Sequence, residues 1–432
     1  MQDCGSRSGG RNVRMKEKLK EYWRQISFKT LWDEEEEDDW EDFDTRDDYV
    51  SGADERKGIS LPAFDPIWIW AIVAALAVIA IVAYQVSSRH HLYTSYKKTS
   101  GYPAEDITGT SYARLGSDFL KYGSDGVTLV SPSNETIWSS AYTMKSTAFD
   151  QAGDCGLIYE QQGTQIVTVG KEGLIGQFKT DLPILKGSVS NNGVCALLLR
   201  NGEDTLIRLY SPDGTTLAEV KPTLEQTGMP IALDLAEGAT RLMVSMVKAG
   251  EGTVDSSIVF YDFSSASETA DQHITGTVSY TDEVFPEVFF ADSRTPVAVA
   301  HDRIVVFSGL SDPSEKANVQ LGGEIASVCH DENYVGVVRL SSDAANRYEL
   351  SVYNYRGRQT MDTLFNQGYK YVRFDSGEIL LWSQGHMMSY TPQGVKRLDS
   401  DFEGRITFFV KTPGFRNYSI LSNTGITRIK AE

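Results

Sequence analysis

The chain has 432 residues, and its 41 lysines and arginines against 59 aspartates and glutamates give a formal net charge of −18 at pH 7. This balance argues against a nucleic-acid partner, because binding to the phosphate backbone depends on clustered positive charge. The four cysteines are too few for a disulfide framework in a chain of this length.

Residues 1–65 form a tail with two charged stretches of opposite sign. Between Met15 and Ile26, apolar residues recur at helical spacing among basic ones. This pattern fits an amphipathic helix on anionic lipid, a solvated helix or no stable helix equally well. Residues 33–48 then hold twelve acidic residues and one arginine. This run predicts disorder, because like charges repel and little apolar area is available for packing.

The acidic run carries two aromatic side chains, Trp40 and Phe43. We consider them candidate contacts for a basic cytoplasmic partner, because aromatic rings offer apolar contact area within a charged segment. The alternative is a solvated spacer whose charge repels the membrane surface.

Residues 66–86 predict a transmembrane signal-anchor helix. No charged residue occurs between Asp65 and Arg89, and at about 1.5 Å per helical residue the apolar run crosses most of a hydrocarbon core of about 30 Å. A cleaved signal peptide would have a shorter apolar core and would not follow about 65 residues. A buried core helix would need protein around all its faces. Aromatic side chains typical of membrane interfaces flank the run: Trp68, Trp70 and Tyr84.

The positive-inside rule gives a weak preference for orientation. Eight basic residues lie between Arg7 and Lys29, on the tail side of the apolar run. We therefore expect a cytoplasmic tail and an extracytoplasmic body in a single-pass membrane protein.

The body after the apolar run predicts an all-β fold. Residues 87–110 are polar and hydroxyl-rich, as in a stalk. From 111 to 432, short runs of β-branched and aromatic residues alternate with glycine, asparagine, aspartate and proline, and no long helical period occurs. The stretch "FLKYGSDGVTLVSPSNETIWSSAY" at 119–142, for example, is typical of three strands joined by two turns.

The strand pattern repeats about every 40 residues. "AFDQAGDCGLIY" at 148–159 aligns without gaps with "SVSNNGVCALLL" at 188–199, which places Cys155 and Cys195 in register. A period near 40 with four strands per unit is typical of a β-propeller. A two-sheet sandwich is the alternative, although it would hold fewer residues and would not require the repeat.

The strand sets give seven or eight blades, with eight favoured. The final set, 405–431, has three strands, so we expect its fourth from a segment near 104–116, which would join the two ends of the body and close the ring. The sets lie near 111–144, 145–182, 183–224, 229–279, 284–322, 323–366, 369–403 and 405–431.

Sequence motifs of catalysis are not visible. There is no Gly-x-Ser-x-Gly elbow, no phosphate-binding loop and no dinucleotide fingerprint, and no histidines and cysteines have zinc-site spacing. We therefore predict no catalytic, cofactor-binding or metal-binding residue. Cys155, Cys195 and Cys329 are expected as buried free thiols, with a Cys155–Cys195 bridge as the alternative.

Four stretches of the body resemble a family of bacterial membrane proteins, typical of clostridia-like organisms, that is known only as a domain of unknown function. They are "GSDGVTLVSPSNETIWSSAY", "LYSPDGTTLAEV", residues 229–263 and the terminal "GITRIK". The resemblance covers roughly residues 60–432. It implies a tail inside the cytoplasmic membrane and a WD40- or quinoprotein-like propeller outside it. Within 229–263 the turn "LAEGAT" departs from the family's usual pattern. The resemblance supplies no activity and no catalytic residues.

Three functions remain open from the sequence. The first is a protein- or envelope-binding scaffold that presents contacts on its loops, which is the function we favour. The second is a propeller enzyme with a site at the mouth of the central channel. The third is a structural subunit of a secretion or envelope complex.

Overall fold

The computed structural model describes residues 70, 73–81, 90–103, 109–222, 228–249, 252–264, 273–309 and 312–432. The chain divides into two units, Met1–Ile69 and Trp70–Glu432, and all described residues belong to the second. Residues 70 and 73–81 are helical. Within the described part of the chain, no helix is long and apolar enough to cross a membrane. The predictions for residues 1–65, and for most of 66–86, lie outside the described residues.

The described strands form eight four-stranded antiparallel sheets. The first strand, β1 (Tyr96–Pro103), belongs to the last sheet. Blade 1 comprises β2 (Ser111–Leu115), β3 (Asp118–Tyr122), β4 (Gly126–Val130) and β5 (Thr136–Ala141). Blade 2 comprises β6 (Thr147–Ala152), β7 (Cys155–Glu160), β8 (Gln165–Gly170) and β9 (Gly173–Lys179). Blade 3 comprises β10 (Ile184–Val189), β11 (Cys195–Asn201), β12 (Asp204–Tyr210) and β13 (Thr216–Val220). Blade 4 comprises β14 (Met229–Leu235), β15 (Arg241–Ala249), β16 (Val254–Asp262) and β17 (Ile274–Tyr280).

The remaining blades follow the same order. Blade 5 comprises β18 (Glu287–Phe290), β19 (Pro296–Val299), β20 (Arg303–Ser308) and β21 (Ser314–Gln320). Blade 6 comprises β22 (Ile325–His330), β23 (Tyr334–Leu340), β24 (Tyr348–Asn354) and β25 (Gln359–Phe365). Blade 7 comprises β26 (Tyr371–Asp375), β27 (Glu378–Trp382), β28 (His386–Tyr390) and β29 (Lys396–Asp401). Blade 8 comprises β30 (Ile406–Lys411), β31 (Asn417–Ser422), β32 (Gly425–Ala431) and β1.

Buried apolar clusters join each blade to the next, so the sheets form a ring. One cluster, for example, packs Leu157 of blade 2 with Leu197 of blade 3. The cluster at the ends of the body contains Leu380 of blade 7, Phe409 of blade 8 and Phe119 of blade 1. Each sheet therefore buries both faces against its neighbours, which a single four-stranded sheet cannot do alone. The predicted all-β propeller is confirmed, with eight blades.

The first strand of each blade is the inner one, because the first strands of adjacent blades contact each other, as β6 contacts β10 and β22 contacts β26. Most positions of the middle two strands of each blade are buried or half-buried, while the last strand of each blade has at least one exposed position. Cys155 and Cys195 begin the second strands of blades 2 and 3, as the repeat predicted.

The ring is closed by β1, which pairs with β32 along Tyr96–Pro103. The prediction that a segment near 104–116 supplies this strand was wrong, because residues 111–115 form β2, the inner strand of blade 1. The propeller also begins before residue 111, inside the segment expected to be a stalk. Tyr96 and Tyr102 of β1 pack on the apolar cluster between blades 7, 8 and 1, and that burial selects 96–103 as the closing strand.

Candidate functional site

Carboxylates on the inner strands connect adjacent blades through hydrogen bonds. In three blades, an aspartate near the end of the inner strand accepts a backbone N–H from the inner strand of the next blade. The pairs are Asp150 with Val189 at 2.7 Å, Asp234 with Phe290 at 2.6 Å, and Asp375 with Lys411 at 3.1 Å. These hydrogen bonds satisfy backbone donors and fix one blade against the next.

Asp150 and Asp234 belong to one polar network around Ser188. The Ser188 hydroxyl donates to Asp234 Oδ1 at 2.7 Å and accepts the Leu235 N–H at 3.1 Å. Burial, together with the charge of the neighbouring Asp150, raises the pKa of Asp234 to about 7. Burial also raises the pKa of Asp150, although the Val189 N–H and the charge of Lys186 oppose the shift. The network therefore contains two carboxyl groups, and ionisation of one disfavours ionisation of the other.

A cleft of about 540 Å³ lies at the closure, between blades 8 and 1. Its lining combines apolar groups with the polar side chains of Thr99, Arg114, Asn417 and Arg428. Cavities of this size and lining accept small molecules or a side chain of a partner.

The outer strand of every blade contains a β-bulge at the equivalent position. In each case the pairing between the third and fourth strands skips one residue of the fourth. A bulge leaves one residue unpaired and turns its side chain away from the regular ladder. In chain order of the blades, the skipped residues are Ile137, Ile175, Leu217, Thr275, Lys316, Thr360, Arg397 and Thr99.

The chemistry of the bulge residue divides the ring into two parts. It is apolar in blades 1–3 and polar in the other five. Ile137 is 49% exposed, Ile175 44% and Leu217 55%, and Leu174, beside Ile175, is also exposed. We call these four residues the bulge rim. Large apolar side chains at one equivalent, exposed position of three consecutive blades are a candidate contact surface for a protein.

A candidate metal-binding group lies in blade 5. It consists of Glu283, before β18, and His301 and Asp302, between β19 and β20. Each offers one ligand atom, and these atoms lie within 4.8 Å of one another. The sequence does not predict this group, because 18 positions separate Glu283 from His301 and only the fold brings the two connections together. The sole sequence signal is the stretch "HDR" after a buried strand.

The residues predicted from the sequence as sites fall mostly outside the described part of the chain. This applies to Trp40, Phe43, Trp68 and Tyr84. Trp70 is described and is exposed. The prediction of buried free thiols is confirmed for Cys155, Cys195 and Cys329, and the alternative Cys155–Cys195 bridge does not form.

Solved structures with similar folds are propellers of very different sequence. Sqt1 from Chaetomium thermophilum, bound to the N-terminus of the ribosomal protein L10, is 10% identical with a TM-score of 0.51. The match covers 78% of this chain and all of that chain. BamB from Moraxella catarrhalis is 11% identical with a TM-score of 0.46, again over 78% of this chain and all of that chain. At this identity the similarity to Sqt1 shows the fold alone.

Comparison at the level of sequence gives a family without an assigned role. No curated protein matches the chain. The model of a family described as "Family of unknown function (DUF5711)" matches residues 88–431. The match contains the whole ring, from β1 to β32.

Proposed function

The chain belongs to the family of unknown function DUF5711, and we propose that it is a membrane-anchored, extracytoplasmic propeller that binds a protein partner. The bulge rim is the observation that carries this proposal. The propeller supplies a rigid ring, and the rim supplies exposed apolar side chains at the equivalent position of three consecutive blades.

The bulge rim favours a protein partner because its exposure has an energetic cost that docking would remove. Removing apolar surface from water contributes about 25 cal/mol per Å², so covering four half-exposed aliphatic side chains gives a substantial part of the affinity of a modest interface. The outer strands also present unpaired backbone groups that an extended segment of a partner can pair with. The Sqt1 structure, bound to the N-terminus of a ribosomal protein, is an example of a similar fold that holds a protein segment.

The anchor rests on the apolar run at 66–86. The described helical residues in this run expose their large apolar side chains, namely Trp70, Val73, Leu76, Val78, Ile79 and Ile81. Exposed aliphatic side chains on a helix are stable in lipid and costly in water. We place the tail in the cytoplasm and the propeller outside, in line with the basic residues of the tail.

The protein contact is tested by photo-crosslinking from the bulge position of different blades. A photoreactive amino acid replaces Leu217 in the full-length chain in its native membrane, and in a second chain it replaces Lys316, the equivalent bulge residue of blade 5. We expect a discrete crosslinked product from position 217 and none from 316. The same product from both positions, or no product from either, would contradict the assignment of the contact to the rim.

A substitution series separates contact from folding. The chain with Ile137→Asp, Ile175→Asp and Leu217→Asp should lose the product formed from a crosslinker at Leu174. Charged residues already occupy the bulge position of blades 5 and 7, as Lys316 and Arg397, so the fold tolerates charge there. An unchanged melting temperature with lost crosslinking supports a direct contact. Full crosslinking in the triple variant would contradict it.

The topology is tested by proteolysis of intact protoplasts. We expect added protease to digest the body, 111–432, and to spare the acidic run at 33–48. Protection of the body in intact protoplasts would contradict the proposed orientation.

We propose that the acidic run at 33–48 binds a second partner, a basic protein of the cytoplasm. Trp40 and Phe43 would supply the apolar contacts. Recovery of proteins on a peptide of residues 1–65 is compared between the natural sequence and the Trp40→Ala, Phe43→Ala variant. Loss of one protein with the variant supports recognition by the aromatic pair. Equal recovery would leave only a charge effect.

A further inference from the structure

We propose that Glu283, His301 and Asp302 form a binding site for a divalent transition-metal ion on blade 5. This site is separate from the bulge rim and does not depend on the proposed protein contact. Glu283 lies in the connection from blade 4 to blade 5, and His301 and Asp302 lie in the turn between β19 and β20. In an antiparallel blade these two connections lie on the same face of the ring, because successive strands alternate in direction.

The three side chains have a spacing close to that required around one ion. Glu283 Oε1 is 3.5 Å from His301 Nδ1, and His301 Nε2 is 3.8 Å from Asp302 Oδ2. Zinc binds nitrogen and oxygen ligands at about 2.0–2.2 Å, which separates neighbouring ligand atoms by about 3–3.5 Å. These two distances involve different ring nitrogens of His301, and one ion binds only one of them. With one atom from each residue, the three ligand atoms lie within 4.8 Å of one another, so the imidazole and the carboxylates would rotate and move closer together on binding an ion.

An unpartnered buried carboxylate oxygen gives independent support for a ligand here. The Glu283 side chain is only 7% exposed, and its Oε1 has no hydrogen-bond partner among the described residues. Arg303 Nη2 lies 3.1 Å from the other oxygen, Oε2, so it holds the carboxylate while leaving Oε1 directed toward His301. A buried carboxylate oxygen without a partner is costly, and a cation bound to it would remove that cost.

Asp302 also has one oxygen with a hydrogen bond and one without, but here the hydrogen-bonded oxygen, Oδ2, is the one near His301. Its Oδ2 accepts a hydrogen bond from Gln320 Nε2 at 2.7 Å, whereas its Oδ1 has no hydrogen bond within the described residues. The Arg303 Nε lies 3.9 Å from this Oδ1, too far for a hydrogen bond. Arg303 and Gln320 therefore orient the two carboxylates in the way that outer partners orient metal ligands in proteins.

The backbone around the site is fixed by neighbouring strands. The Glu283 N–H donates to Val254 O at 3.1 Å, the Ile325 N–H to His301 O at 2.8 Å and the Leu321 N–H to Asp302 O at 2.7 Å. Each ligand thus lies on backbone that is tied to another segment of the ring. Such restraint favours ion binding, because little conformational entropy is lost when the ion arrives.

The donor set selects the class of metal. One imidazole nitrogen and two carboxylate oxygens suit Zn²⁺ or Mn²⁺, whereas Ca²⁺ and Mg²⁺ prefer oxygen ligands throughout. Three protein ligands leave at least one coordination position open. A cavity of about 390 Å³ adjoins the site, bordered by Val254, Asp282, Glu283, Val284, Pro286 and His301. This cavity gives room beside Glu283 and His301 for water or a ligand group from another molecule.

The experiment titrates the full-length chain with Zn²⁺ and compares it with the His301→Ala variant. His301 is 62% exposed, so its removal should not unfold the blade, and an unchanged melting temperature without metal verifies this. We expect one zinc ion per chain to bind at this site and its affinity to fall at least about tenfold in the variant. Wild-type affinity in His301→Ala, or no micromolar zinc binding by the natural chain, would overturn the proposal.

A matched control distinguishes this site from weak binding elsewhere. His386 also lies between two carboxylates, but both of its ring nitrogens already make hydrogen bonds, with Asp401 at 2.7 Å and Asp399 at 2.8 Å. The His386→Ala variant should bind zinc as the natural chain does. Equal loss of binding in both variants would overturn the proposal. The acidic run at 33–48 is present in all three chains, so its weak cation binding cancels in the comparison.

Cobalt gives a readout of coordination that does not depend on affinity. Co²⁺ bound to a nitrogen and two carboxylates in a site with few ligands absorbs visible light much more strongly, and at longer wavelength, than octahedral, hydrated Co²⁺. We expect this band in the natural chain and in Asp302→Glu, which retains a carboxylate, and its loss in His301→Ala. A band that persists in His301→Ala would place the ion elsewhere.

Discussion

The Arg114 guanidinium of blade 1 donates a hydrogen bond to the Asp375 carboxylate of blade 7, 261 positions later in the chain. The same Arg114 Nη1 donates to the Lys411 backbone oxygen of blade 8 at 2.9 Å, and the Lys411 N–H donates to the other Asp375 oxygen at 3.1 Å. One ion pair therefore ties together three blades on both sides of the point where the ring closes.

Asp375→Ala should lower the free energy of unfolding strongly. The Asp375 side chain is buried and Arg114 is largely so, and removing one member leaves the other charge buried without its partner. Breaking a buried pair in this way costs about 3–5 kcal/mol. Denaturant unfolding of the detergent-solubilised chain measures the change. Asp154→Ala is the control, since Asp154 and its partner Lys171 are exposed and such pairs contribute less than about 1 kcal/mol. Similar losses in the two variants would show that the closure pair has no special role.

Deletion of residues 96–103 should destabilise the whole ring. The deletion removes β1, exposes the edge of β32 and uncovers the cluster on which Tyr96 and Tyr102 pack. We expect a large loss in melting temperature together with aggregation, measured by thermal scanning and light scattering. Deletion of eight residues from the acidic run, 33–40, is the control of equal length. A ring that remains cooperative and monomeric without β1 would contradict closure by this strand.

Asp234 should make the ring less stable as pH rises from about 4 to about 7. Burial and the neighbouring Asp150 raise the pKa of Asp234 to about 7 from 3.8. Between these two pH values the folded state holds a proton that the unfolded state has released, so raising the pH lowers the free energy of unfolding until the folded group has also ionised. Asp234→Asn removes the titrating group and retains an oxygen for the Phe290 N–H.

The measurement compares denaturant unfolding at pH 5 and pH 7.5 for the natural chain and Asp234→Asn. The natural chain should lose more stability between these values than the variant does. The same pH dependence in both proteins would show that Asp234 ionises at its ordinary value.

The thiols of the ring should be unreactive in the folded state. Burial raises the pKa of Cys155 to about 11 and of Cys195 to about 12, and it raises the pKa of Cys329 as well. Thiolates are the reactive species, so in a Cys4→Ser chain a thiol reagent at pH 8 should label none of the three cysteines until denaturant is added. Rapid labelling of the native chain would show that the second strands of blades 2 and 3, or the inner strand of blade 6, open readily.

The repeat of the blades could be predicted because it is visible as a pattern of nearby residues in the sequence. Alternating apolar residues and turn signals recur at a constant period, and Cys155 and Cys195 mark the same place in two blades. The middle strands carry most of this signal, because both of their faces are buried and their composition is correspondingly apolar.

The closing strand could not be predicted with the same accuracy. Outer strands bury only part of their surface, so β1, with the sequence "YKKTSGYP", resembles a polar stalk. Its partner, β32, lies more than 300 residues away in the chain. The pairing is decided by the packing of Tyr96 and Tyr102 on the apolar cluster beside the open edge of blade 8. A choice of this kind depends on the assembled ring and not on local composition.

The sequence by itself determined the class of the fold and favoured eight blades over seven, since both follow from the period of apolar residues and turns along the chain. The structure decided the number. The tertiary structure alone decided which side chains meet. It placed Glu283 beside His301, paired Arg114 with Asp375, and turned Ile137, Ile175 and Leu217 outward at equivalent bulges. The physical reason is that burial patterns repeat with the local backbone, whereas contacts between residues far apart in the chain exist only after eight sheets have packed into a closed ring.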